Sequence, residues 1–66
     1  MDFHTMSCTK LRGFLEGKRT EWFTDNITLT DLQLIKRRMY QCSPQVYAKM
    51  SRFFGFVEHN IARKRK

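Results

Sequence analysis

Apolar residues recur along the chain at helical spacing, and three stretches show it clearly. Leu11, Phe14 and Leu15 stand at i, i+3, i+4, which predicts a helix over about 8–16. Ser7 or Thr9 is suited to cap it and Gly17 to end it, although Gly13 weakens its interior by about 1 kcal/mol relative to alanine. Leu32, Ile35, Met39 and Cys42 form one stripe of a second helix over 30–42. Thr30 reads as its N-cap, with Gln33 completing a capping box and Leu29 and Leu34 placed as a hydrophobic staple. Arg37, Arg38, Gln41 and Leu34 fall largely on the other side.

A third helix is marked over 44–54. Ser43 suits the cap and Pro44 the first helical position, where its missing N–H costs nothing. Val46, Met50 and Phe53 would form its core stripe, with Tyr47 and Phe54 beside it. Gly55 would end it in the left-handed conformation. A last helix from about Phe56 turns Val57 and Ile61 inward. Residues 18–29 carry a weaker pattern: Trp22 and Phe23 anchor a loop or short helical turn, and Thr24-Asp25-Asn26 reads as a turn. The expectation is an all-α domain of three or four helices over 1–62, a helix-turn-helix-like arrangement among the candidates, followed by a basic tail at 63–66.

Length limits what such a domain can do. With 66 residues the chain supports one thin core and no deep substrate cleft. Aromatic residues make up 14%, enough for that core. No stretch approaches the roughly 18 apolar residues of a membrane span, and the N-terminus lacks the pattern of a secretory signal. A cytoplasmic location is therefore expected. In that setting Cys8 and Cys42 read as reduced core residues rather than a disulfide.

Charge changes the picture most. The net charge is +7, and it is uneven. Residues 1–33 are slightly acidic, whereas residues 34–66 hold nine bases against Glu58 alone. Such asymmetry suggests a polyanion: nucleic acid, an anionic membrane or an acidic protein face. A membrane partner is not expected, because the aromatics beside the cations of helix 44–54 are needed for the core of so small a domain. The short turn between helices 30–42 and 44–54 suits a helix-turn-helix, whose second helix enters the DNA major groove. Gln45, Lys49 and Arg52 would then form a base-facing stripe. Lys36, Arg37 and Arg38 would flank the backbone, and Arg63, Lys64, Arg65 and Lys66 would follow phosphates without reading sequence. The sequence thus favours a non-catalytic nucleic-acid-binding regulator, with DNA preferred to RNA. The competing reading is a small module that docks on a larger acidic-faced protein and modulates it. A homodimer is a candidate assembly.

Other chemistries find little footing. His4, Cys8, Cys42 and His59 suffice in number for zinc but lack close paired spacing. Glu58 and His59 are adjacent, so on a helix they project about 100° apart and share no site easily. Neither Gly13 nor Gly17 sits in a phosphate-loop pattern. No cofactor, metal or enzymatic activity is expected.

Overall fold

The Ser7 side chain accepts the Lys10 N–H at 3.2 Å and opens α1, Cys8–Glu16. This is the span the sequence pattern predicts. Leu11 and Leu15 are buried on its inner face. Gly17 closes α1 with φ −84°, the ordinary right-handed region, so left-handed freedom is not its role. A Cβ there would stand 3.0 Å from the Gly13 carbonyl oxygen, and glycine supplies the room. The computed structural model describes residues 3–64. Within them the chain forms five helices and no strand.

Residues expected as a turn instead finish a helix, α2, Thr20–Asn26. The Thr24 hydroxyl donates to the Thr20 carbonyl at 3.1 Å and the Asn26 amide to that of Trp22 at 2.8 Å. Residue types that favour turns here bond back onto helical carbonyls instead. Packing holds the helix in place: Phe23 is fully buried, and its ring meets Phe14, Trp22 and Phe53 edge-on at 5.2–5.5 Å. Such pairs contribute about 0.5–1.5 kcal/mol each beyond the area they bury.

Helix α3, Leu29–Cys42, begins one residue before the expected span, and its cap lies two residues earlier. Thr28 is the cap rather than Thr30: its hydroxyl accepts the Asp31 N–H at 3.1 Å and the Asp31 carboxylate accepts the Thr28 N–H at 3.2 Å. The staple accordingly falls at Ile27 and Leu32, both buried. Leu32, Ile35 and Met39 face the core, as their spacing requires.

The helix expected over 44–54 is two helices, α4 (Pro44–Lys49) and α5 (Ser51–Lys64), with a turn at Met50. Ser43 and Pro44 play their expected parts, the Ser43 hydroxyl accepting the Val46 N–H at 3.3 Å. The Met50 N–H is shared between the Val46 and Tyr47 carbonyls at 3.0 and 3.1 Å, and the Met50 carbonyl restarts the ladder by accepting from Phe54. Along an unbroken helix, residues seven apart are separated by about 10 Å. The turn at Met50 closes that gap, and the Tyr47 and Phe54 rings stack with centroids 5.7 Å apart. Gly55 is an interior residue of α5 and has no positive φ. The break also changes which phenylalanine is central: Phe54 is 1% exposed, whereas Phe53 is half-buried. Val57 and Ile61 continue the buried stripe.

Both cysteines depart from expectation. Cys8 is exposed, Cys42 is half-buried, and they form a disulfide with Cα atoms 5.6 Å apart. The start of α1 lies against the end of α3, which brings together residues separated by 34 positions. Arg38 ties down the segment before α1, donating to the Phe3 carbonyl at 3.3 Å and to that of Met6. Phe3 is thereby seated in the core against Phe14.

Candidate binding surfaces

Because Leu32, Ile35 and Met39 turn inward, α3 presents Gln33, Arg37, Tyr40 and Gln41 outward at i, i+4, i+7, i+8. All four are exposed. Tyr40 is 57% exposed, and its ring meets Tyr47 of α4 edge-on, centroids 5.5 Å apart. Tyr47 in turn stacks on buried Phe54. A ladder of three rings therefore runs from the core to the surface and holds Tyr40 in place. The grooves beside it are lined by Gln33, Lys36, Arg37, Gln41 and Tyr47 on one side, and by His4, Thr30 and Leu34 with Gln33 and Arg37 on the other. Among the described residues no acid lines either groove.

A second surface lies between α2 and α5. Glu21, Thr24 and Asp25 line it from α2, and Phe56, Asn60, Arg63 and Lys64 from α5. Phe56 is also 57% exposed. Lys64 is paired with Asp25 across the two helices. Glu21 and Arg63 are exposed and take part in no ion pair among the described residues.

The residues anticipated as nucleic-acid ligands are dispersed. Arg37 is exposed on the α3 face. Lys36 is bonded to Glu58 of α5 at 3.1 Å. Arg38 is half-buried and committed to the Phe3 and Met6 carbonyls. Gln45 and Lys49 are exposed on α4, but Arg52 lies beyond the Met50 turn on α5, so the anticipated stripe does not belong to one helix. Arg63 and Lys64 are the last described residues of α5; Arg65 and Lys66 lie outside the described residues. Of the four weighed as zinc ligands, Cys8 and Cys42 are consumed by the disulfide, and no cluster of three metal-ligating side chains occurs among the described residues. No described helix is long and apolar enough to cross a membrane.

Tyr40, Tyr47, Gln33 and Gln41 escape a reading that follows charge alone. A signal was present in the spacing of Gln33, Arg37, Tyr40 and Gln41 opposite the apolar stripe. No protein-family model, curated protein or solved structure matches this chain.

Proposed function

We propose that this chain is a non-catalytic interaction module that docks on an acidic protein surface through the α3–α4 face. The observation that carries this is Tyr40: an exposed ring, braced by Tyr47, beside two amides and Arg37, which takes part in no ion pair among the described residues. Tyrosine and arginine dominate the centres of protein interfaces because they offer large contact area and several hydrogen bonds. A face with cations and, among the described residues, no acid selects against basic partners and favours acidic ones. The disulfide suits work in an oxidising compartment better than in the cytoplasm.

The test is capture of partners from a lysate and from a secreted fraction, with and without nuclease, using the parent chain and Tyr40→Ala. The expected result is a stoichiometric, nuclease-resistant protein that Tyr40→Ala loses. Capture unchanged by Tyr40→Ala would overturn the assignment of this face.

Nucleic-acid binding is the second reading. It is supported by Arg37, Lys49, Arg52 and Arg63, all exposed and without ion pairs among the described residues. On that reading affinity falls steeply with salt, by about −0.9 in log–log slope per phosphate contact on duplex DNA. No shift of duplex DNA, single-stranded DNA or RNA at tens of micromolar protein would sink it.

A further inference from the structure

We infer that the α2–α5 face binds a second copy of this chain, forming a two-fold dimer around Phe56. The face carries both signs of charge on opposite sides: Glu21 and Asp25 on α2, Arg63 and Lys64 on α5. A two-fold axis running along the groove exchanges its sides. The α5 of one copy then lies over the α2 of its mate, so the Arg63 side of each copy faces the Glu21 side of the other, once on each flank of the axis. Those are the two charges of this face that no ion pair among the described residues satisfies. Asp25 and Lys64, already paired inside each copy, need no rearrangement.

Phe56 supplies the apolar centre. Its neighbours Phe54 and Val57 are buried, whereas Phe56 points out of the fold and is 57% exposed. Among the described residues nothing covers that ring fully, and in the dimer each Phe56 ring, on the same α5 stripe as Arg63, would pack on the mate's α2 and leave water. A chain this short also has reason to associate, since small domains bury a low fraction of their surface alone. The α3–α4 face involves different helix surfaces and stays open in such a dimer. The pair would then present two docking faces to a repetitive partner and gain avidity.

Sedimentation equilibrium on the oxidised full chain, at physiological salt and from about 1 μM to 1 mM, tests this across the weak-affinity range. The expected mass rises from 8.0 kDa towards twice that value. Phe56→Asp should weaken association by about tenfold or more, as for a central interface anchor. Glu21→Arg and Arg63→Glu should each weaken it, and the double variant should recover it, because the swapped charges again face their opposites. Circular dichroism confirms that each variant keeps its helices. A monomer at every concentration would overturn the proposal. So would a dimer indifferent to Phe56→Asp, or a double charge swap that fails to recover. Capture of a different protein lost with Phe56→Asp, from a chain that stays monomeric, would give the groove to that protein instead.

Discussion

Two faces of this molecule each leave one aromatic ring 57% exposed, and they differ in the charges around it. Tyr40 stands among cations and amides, with no acid among the described residues lining its groove. Phe56 stands between an acidic helix end and a basic one. The sign of the charge around each ring decides what that surface can bind. A face of one sign cannot approach its own copy without repulsion, so it needs an opposite-signed partner. A face carrying both signs, suitably arranged, is complementary to itself.

The largest expected effect removes the support of one face. Phe23→Ala deletes the ring that fixes α2 against Phe14, Trp22 and Phe53. It should cost about 3–5 kcal/mol, enough to unfold a domain of marginal stability. Urea denaturation measures it, and a midpoint equal to the parent's would show that α2 is not held through this ring.

Next comes the disulfide. Its reduction should cost about 2–4 kcal/mol, because a long loop is released in the unfolded chain. The effect should fall harder on docking through the α3–α4 face, since Cys42 adjoins Tyr40 and Gln41, than on self-association at Phe56. Parallel denaturation and sedimentation of oxidised and reduced protein separate the two, and equal losses at both faces would remove the distinction.

Arg38 and Arg37 are neighbours with opposite expected behaviour. Arg38→Ala should lower stability by about 1.5–3 kcal/mol, because it breaks charged hydrogen bonds to the Phe3 and Met6 carbonyls. Arg37→Ala should change stability by less than about 0.5 kcal/mol and weaken docking. If Arg37→Ala destabilises as much as Arg38→Ala, Arg37 supports the fold and the α3 face loses its cation.

The smallest effects on stability belong to the exposed rings. Tyr40→Ala and Phe56→Ala should each change it by less than about 1 kcal/mol. Tyr40→Ala should abolish partner capture while self-association persists, and Phe56→Ala should do the reverse. A variant that affected both would mean that the faces are coupled.

Much of this architecture was legible because its causes are local. The spacing of Leu11, Phe14 and Leu15 marks α1 over about 8–16, and of the two candidate caps, Ser7 and Thr9, it is Ser7 that opens it. The α3 stripe is equally plain, though two threonines compete to cap it. Thr28 wins because Asp31 returns its hydrogen bond, while Thr30 lies within the first turn. What stayed hidden depends on distant contacts. No proline or glycine marks the break at Met50; the stacking of Tyr47 on Phe54 accompanies it. Gly55 resembles a terminator but lies inside α5. The disulfide needed the knowledge that α1 and α3 run side by side, although Cys8 at one helix start and Cys42 at another helix end offered a hint. Charge counting found the basic residues but not their engagements. Lys36 and Arg38 are occupied within the fold, and only their partners Glu58, Phe3 and Met6 reveal it.

The Cys8–Cys42 bond also decides how the chain would carry tension. Pulled from its two ends, the molecule transmits force through the bond itself, bypassing α1, α2 and α3, so that only the segments before Cys8 and beyond Cys42 can be drawn out. The enclosed stretch of 34 positions stores about 110 Å of slack, at roughly 3.3–3.6 Å per extended residue. The covalent ring would bear the load while α4 and α5 unravelled, and cutting the bond would release that hidden length in a single step.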